Sequence, residues 1–154
     1  MDCLTRTLPF TRGEIRVVCF ELGATSYAVD VEEIEAICCA FPIIPTPDLP
    51  SFVEGEMYFR HARMPVINLR RQLGMPARPF DEDARVLIYK TKKGLVGLLV
   101  DKLSEVQKLP PSAVKPPSDE LPDYIWAVVP AGKGSLLLPD FEKLTDWSDD
   151  VLAA

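Results

Sequence analysis

Apolar residues along the chain come in short runs that are separated by turn-forming residues. Runs of four to eight residues bounded in this way are typical of β-strands. Three hairpins are predicted, pairing residues 15–22 with 26–29, 84–90 with 95–100, and 124–129 with 135–138. A fourth joins residues 56–60 to 63–68, with His61 and Ala62 at its turn. Two proline-rich stretches, 41–50 and 109–122, are predicted to be extended connectors, because proline removes a backbone donor. The pattern therefore predicts a mainly β protein.

Helical periodicity is brief and occurs at three places. Asp30, with Glu33 three residues later, resembles a capping box and predicts one or two helical turns through Ile37. A second short helix is predicted over residues 69–74. The third is a C-terminal helix capped by Asp140, whose apolar face consists of Phe141, Leu144, Trp147 and Val151.

Two sequence patterns recur at nearly the same spacing. An apolar strand end followed by aspartate appears at Asp30 and again at Asp101, 71 residues later. An apolar strand followed by a short helix appears at Asn68 and again at Asp140, 72 residues later. We interpret these aspartates as structural caps that accept backbone N–H bonds. The repeat favours two β units, approximately 15–80 and 81–144, with strand or helix exchange between them allowed. Units of this size bury little core alone, so we expect a shared apolar interface.

Charge and hydropathy exclude several functional classes. The chain has 23 acidic and 17 basic residues and a net charge of -6, so it lacks the cationic surface of a nucleic-acid binder. Its 154 residues contain no apolar stretch long enough to span a membrane, and the N-terminus does not resemble a secretory leader. We therefore expect a cytoplasmic protein without direct membrane insertion.

Candidate catalytic and ligand-binding residues are few. His61, the single histidine, lies between arginines and lacks an orienting acid, so an interface role is favoured over catalysis. The stretch AGKGS at residues 131–135 lacks phosphate-loop spacing and is predicted to be a hairpin turn. No metal or cofactor is predicted. The four cysteines, Cys3, Cys19, Cys38 and Cys39, are interpreted as buried reduced thiols. Four arginines are interpreted as a solvated or protein-facing patch: Arg60, Arg63, Arg70, Arg71.

An ordered set of four stretches resembles one protein family. The stretches are FELGATSYAVDVEEIEAI, LPSFVEGEMYFRHARMPVINLRRQLG, VGLLVDKLSEV and YIWAVVPAGKGSLLLPDFEKL. Together they resemble the CheW-like coupling proteins of bacterial chemotaxis from about residue 15 to residue 144. We place a single CheW-like domain at residues 12–150, after an N-terminal extension of residues 1–11.

The resemblance implies a fold and a function. The fold would be two SH3-like five-stranded β-barrels packed side by side. The protein would have no catalytic activity or cofactor and would bridge the regulatory domain of a CheA-type histidine kinase to the cytoplasmic tip of methyl-accepting chemoreceptors, in arrays at the inner membrane. A CheW-like protein of a sister pathway, such as twitching motility or surface sensing, is an alternative. So are a modulator that competes for kinase sites and a small enzyme with a site between the barrels.

The chain departs from the family pattern at several positions. His61 stands where the family has a turn glycine, Ala36 where many members have an acidic residue, and Ala127 where they often have glycine. Glycine adopts positive φ without penalty whereas histidine does so at a cost. We therefore expect either a different turn or strain at His61.

The resemblance also implies two binding surfaces. A groove near the junction of the two units would receive the receptor tip, and its residues would be Ile34, Ile37, Arg60, Leu99, Leu103 and Val106. The alternative is that the five apolar residues of this set are ordinary core. The arginine would contact an acidic partner or hold the junction. A kinase-binding surface on the first unit would use a proline-limited strand edge: Pro45, Thr46, Phe52, Val53, Gly55.

Overall fold

The structure is a computed structural model that describes residues 14–39, 43–76, 79–131 and 134–145. Within these ranges the chain forms ten β-strands, two one-turn α-helices and two 3-10 turns. The strands are β1 (Ile15–Leu22), β2 (Thr25–Asp30), β3 (Ile34–Cys39), β4 (Val53–Phe59), β5 (Ala62–Asn68), β6 (Arg85–Thr91), β7 (Gly94–Val100), β8 (Lys102–Leu109), β9 (Ile125–Ala131) and β10 (Gly134–Pro139). The helices are α1 (Leu69–Gln72) and α2 (Phe141–Leu144), and the 3-10 turns are Val31–Glu33 and Pro111–Ala113.

The strands form two five-stranded sheets with the same internal plan. The first sheet has the order β8-β1-β2-β10-β9, and the second has the order β3-β6-β7-β5-β4. Adding five to each strand number of the first sheet, and counting on from one after ten, gives the order of the second sheet. In each sheet one pairing is parallel, β2 with β10 and β5 with β7, and the other pairings are antiparallel. The mainly β prediction with two five-stranded units is confirmed.

The two sheets do not divide the chain at residue 80. The interval between residues 80 and 81 falls between β5 and β6, which both belong to the second sheet. The chain passes from the first sheet to the second just after Asp30 and returns at Asp101, so the repeated aspartates mark the two crossings. Each sequence repeat therefore corresponds to a chain half, and each half gives two strands to one sheet and three to the other.

Both faces of the central strands are buried, which explains their continuous apolar character. Along β1, Val17 and Cys19 face a core within the first sheet, whereas Val18 and Phe20 face a core shared with the second sheet. We call the shared cluster the junction core: Val18, Phe20, Leu22, Tyr27, Val29, Ile67, Leu69, Leu87, Tyr89, Val96, Leu98, Val100, Ile125, Phe141, Leu144. The second sheet has its own core: Met57, Met64, Val66, Ala84, Val86, Ile88, Leu99. The expected shared apolar interface is thus present.

The helix predicted through Ile37 is wrong. The Asp30 carboxylate accepts the Glu32 N–H at 2.9 Å, but the helical turn ends at Glu33 and Ile34 enters β3. The residues after Glu33 form backbone hydrogen bonds with β6 instead of continuing the helix. Strand β8 was also not predicted.

The short helices at the ends of β5 and β10 agree better with the prediction. Asn68 and Asp140 cap α1 and α2, accepting the Arg71 and Lys143 N–H groups at 3.3 and 3.1 Å. Trp147 and Val151, predicted for the C-terminal helix, lie outside the described residues, as do Cys3 and the extension 1–11. None of the described helices has the length and apolar character needed to span a membrane.

Candidate functional site

The turn between β4 and β5 keeps the geometry that a glycine would favour. Phe59 pairs with Ala62, so the loop consists of Arg60 and His61 alone. Their φ angles are 52° and 66°, and positive φ at both central residues is characteristic of a type I′ hairpin turn. His61 therefore adopts the left-handed conformation instead of altering the turn.

Arg60 is hydrogen-bonded to β3, the strand at the opposite edge of its own sheet. Its guanidinium donates to the Glu35 carboxylate at 2.9 Å and lies 4.7 Å from the centre of the Phe59 ring. The arginine side chain is 64% exposed, so the contact leaves much of the guanidinium open to solvent. Glu35 lies at the bulge near the start of β3. The hydrogen bond to Glu35 therefore holds Arg60 beside that end of the strand.

The register of β3 turns two isoleucines toward the junction of the sheets. Ile34 is paired with Tyr89 and Ile37 with Leu87, and both partners belong to the junction core. Directly opposed residues of antiparallel strands point to the same face. Ile34 packs against the junction core, whereas Ile37 is 43% exposed at its margin.

Strand β8 repeats this arrangement on the first sheet. Leu103 is paired with Phe20 and Val106 with Val18, with a register shift between the two pairs as in β3. Leu103 packs against the junction core and Val106 is 57% exposed. We call these four aliphatic residues on the two edge strands the junction strip: Ile34, Ile37, Leu103, Val106.

Leu99, which was expected in the same groove, is a core residue. Its side chain is 1% exposed and belongs to the core of the second sheet. The alternation of β7 turns Leu98 and Val100 toward the junction and Leu99 away from it. Leu99 is therefore inaccessible to a partner of the folded chain.

The five residues expected to bind a kinase differ in how far they are exposed to solvent. Pro45 is exposed, and Thr46 is half-buried with its hydroxyl donating to Glu56 at 3.0 Å. Phe52 packs against the junction core and Val53 is buried. A Cβ atom at Gly55 would stand 2.4 Å from the Ile44 carbonyl oxygen, so Gly55 permits close approach of that segment.

Strand β4 and the segment bridged to it carry surface residues that the sequence prediction missed. Tyr58 is 57% exposed and accepts a hydrogen bond from Arg63 at 3.3 Å. Ile44 is 42% exposed and is bridged to Glu56 by two backbone hydrogen bonds. Ile44, which precedes Pro45, and Tyr58 add exposed aliphatic and aromatic groups to the expected surface. The sequence signal was the break in alternation that an outward tyrosine makes between Met57 and Phe59.

Arg70 does not belong to a surface patch. Its guanidinium donates to both Asp101 oxygens, the Nε contacts being 2.8 and 3.0 Å, and both side chains are almost fully buried. Hydrogen bonding to Asp101 raises the pKa of Arg70, with burial opposing it. The same carboxylate accepts the Gly23 N–H at 2.8 Å. Asp101 thus joins α1, the β1–β2 turn and the crossing into β8.

The described residues contain no group of three histidine, cysteine or acidic side chains placed to hold a metal ion. Burial raises the pKa of the Cys19 thiol to about 11, and burial also raises the pKa of Cys38. Cys39 is exposed, so the expectation of burial is wrong for this thiol. In the described part of the chain, the surface features with the most distinctive chemistry are the junction strip, the Arg60 turn and the β4 edge.

Comparison with known proteins identifies the family. The model of the CheW-like domain matches residues 16–149. The chain belongs to the CheW-like domain family. The chemotaxis protein CheW of Thermotoga maritima is 34% identical over 106 residues, 68% of each chain. Protein FrzA of Myxococcus xanthus is 25% identical over 138 residues, 86% of each chain. The crystal structure of the scaffolding protein TtCheW from Thermoanaerobacter tengcongensis superposes with a TM-score of 0.80 at 22% identity, covering 87% of this chain and 94% of that one.

Proposed function

We propose that this CheW-like chain is a non-enzymatic scaffold that couples methyl-accepting chemoreceptors to the regulatory domain of a CheA-type histidine kinase. The observation that carries the proposal is the junction strip, which presents exposed aliphatic side chains at equivalent places on two edge strands. Family membership supports a role in chemosensory signalling. The space between the sheets is filled by the junction core, which argues against a substrate site there.

The receptor tip would bind along the junction strip. Ile37 and Val106 supply apolar contact, and an amphipathic helix laid in a groove needs aliphatic anchors of this kind. Arg60, exposed at the turn beside β3, offers charge-assisted hydrogen bonds to acidic groups of the partner. The strip lies on both sheets, so a receptor bound there contacts both halves of the chain.

The kinase regulatory domain would bind at the β4 edge. Pro45 and Thr46 lie in the segment bridged to β4 through Ile44, and Tyr58 is exposed on the strand itself. Tyrosine and arginine are enriched among residues that dominate binding energy at protein interfaces. Val53 and Gly55 would support this surface from beneath.

The proposal is tested by measuring both interactions for one set of variants. The full chain is titrated by calorimetry into the regulatory domain of each CheA-type kinase of its own genome, and separately into receptor cytoplasmic fragments. Ile37→Asp and Val106→Asp should abolish receptor binding and retain kinase binding. Ile44→Asp, a matched change of an exposed aliphatic residue in the segment bridged to β4, should do the reverse. Saturable one-to-one kinase binding identifies the pathway, whereas no binding to any kinase would contradict the coupling role.

Arg60→Glu provides a second test of the same surface. The pair with Glu35 is solvent-exposed, so its loss should change the free energy of unfolding by about 1 kcal/mol or less. Binding to receptor or kinase should be lost while circular dichroism and melting stay nearly unchanged. Unchanged binding to both partners would remove Arg60 from the interface.

The departures from the family pattern at Phe59, His61 and Ala36 are compatible with a second candidate, coupling in a sister chemosensory pathway. The titrations distinguish the two, because they show which kinase and which receptor the chain binds. A competition experiment separates coupling from modulation. A coupling protein binds kinase and receptor at the same time, whereas a modulator that competes for kinase sites binds the kinase without the receptor.

A further inference from the structure

Two cationic side chains face each other beside the junction strip. Arg16 on β1 is paired directly with Lys108 on β8, and both are exposed. Like charges placed directly opposite on neighbouring strands destabilise a sheet. At the other end of the same ladder, Glu21 is paired with Lys102, an opposite-charge combination. The pairing of Arg16 with Lys108 therefore departs from what sheet stability favours.

The register places this pair on the same face as Val106. Along β1, Val18 and Phe20 point into the junction core, and Arg16 is in phase with them. Along β8, Lys108 is two residues from Val106 and shares its face. The two cations therefore continue the junction strip on the first sheet.

Neither cation has an acidic partner within the described residues. No ion pair joins Arg16 or Lys108 to the nearby Glu14 or Glu105, and the Glu105 carboxylate accepts a hydrogen bond from Gln107 instead. The equivalent position on the second sheet is different. There Arg85 is paired with Cys39 and donates to the Glu82 and Ala84 carbonyl oxygens at 2.8 Å.

We propose that Arg16 and Lys108 bind carboxylates of an acidic amphipathic helix whose apolar face contacts Val106. This inference rests on the proposed receptor contact and names the chemistry of the segment that binds there. An uncompensated cationic pair in a chain of net charge -6 favours an anionic partner. The adjoining exposed valine favours a protein helix over a polyanion, because a polyphosphate chain presents no apolar face.

The test uses Lys108→Glu in the full chain, with Lys90→Glu as its matched control. Lys90 is also exposed on a strand, but it is in phase with Val86 and Ile88 and faces away from the junction. Binding to a receptor cytoplasmic fragment and to the kinase regulatory domain is measured in parallel, at low and high salt. Lys108→Glu should weaken receptor binding at least about tenfold and reduce its salt dependence. Kinase binding should be unchanged, and Lys90→Glu should bind both partners normally.

A stability measurement separates this proposal from a structural role. Lys108→Glu places a carboxylate opposite Arg16, so the melting temperature should rise by about 1–3 °C while receptor binding falls. Normal receptor binding by Lys108→Glu, or equal loss in Lys90→Glu, overturns the cationic contact and leaves the coupling proposal standing. A wild-type chain that binds no receptor fragment overturns both. Binding of an acidic polyphosphate with the affinity of the receptor fragment overturns the assignment to a helix.

Discussion

His61 holds a backbone conformation that residues with a Cβ atom adopt only at a cost. Its φ of 66° lies in the left-handed region, and the preceding Arg60 is also there with φ 52°. The type I′ turn requires both angles, because its twist matches that of the flanking strands. The fold of β4 and β5 thus imposes the conformation on a residue that does not favour it.

His61→Gly should therefore raise the free energy of unfolding by about 0.5–1.5 kcal/mol, since glycine adopts positive φ without steric strain. Urea denaturation of the purified chain measures the change. His61→Ala is the control, because alanine removes the imidazole and keeps the strain, and it should give no gain. Equal stabilisation by both variants would show that the imidazole, and not the backbone, is responsible.

The thiols of Cys19 and Cys39 are expected to differ in reactivity. Cys19 is buried, and its pKa is raised to about 11, whereas Cys39 is exposed at the end of β3. The thiolate is the reactive form, so native alkylation at pH 8 should modify Cys39 and spare Cys19. Peptide mass mapping measures the labelled sites, and Cys39→Ser should lose the label. Rapid labelling of Cys19 under native conditions would contradict its burial.

The raised pKa of Cys19 also makes the free energy of unfolding depend on pH. In the unfolded chain the Cys19 thiol has its usual pKa near 9.0, below the folded value of about 11. The folded state therefore binds this proton more tightly, and the stabilisation is complete below pH 9 and is lost as pH rises toward 11. Urea denaturation at pH 8, 9 and 10 should show a steeper loss for the wild type than for Cys19→Ala. Parallel curves would remove Cys19 as the titrating group.

At the level of elements, Arg70 and Asp101 hold together three parts of the fold. Arg70 comes from α1, Asp101 from the crossing between β7 and β8, and Gly23 from the β1–β2 turn. A buried pair that loses one partner leaves an uncompensated charge. The crossing that begins β8 therefore depends on this contact.

Arg70→Ala should lower the free energy of unfolding by about 3–5 kcal/mol. Arg71→Ala is the matched control in the next position of α1. Arg71 is 44% exposed and donates to the Ser51 carbonyl at 3.0 Å, so its loss should cost about 1 kcal/mol or less. Urea denaturation of both variants measures the difference, and a similar small effect in each would show that Arg70 is not a buried anchor.

Several elements were predictable from sequence and others were not, for physical reasons. Hairpins bounded by glycine and charged turns were recognised, because local alternation and turn chemistry determine them. Strands β3 and β8 were missed, since each contains a bulge that breaks the period of two. The register turns Ile37 and Val106 toward the junction, whereas Leu99, grouped with them from the sequence, is buried in the second sheet. The burial of Arg70 depends on Asp101, 31 residues away, and no local pattern reports such a contact.

At the level of the whole molecule, the two chain halves are interlocked. Strands β1 and β2 of the first half pair with β8 and β10 of the second, and β3 and β5 pair with β6 and β7. A half on its own retains only the β1–β2 and β4–β5 pairings, or the β6–β7 and β9–β10 pairings. Isolated two-stranded hairpins are marginally stable in water. The 71-residue repeat thus describes two halves of one cooperative unit.

Fragments 1–80 and 81–154 should therefore be unfolded when separate and should fold when mixed in equal amounts. Circular dichroism and urea denaturation of each fragment and of the mixture measure this, with a cooperative transition expected only for the mixture. Leu98→Asp, in the junction core and opposite Ile67, should prevent complementation because it buries a charge between the halves. Lys92→Glu, at an exposed turn, should leave complementation intact. Cooperative unfolding of either fragment alone would show that one sheet forms without strands from the other half.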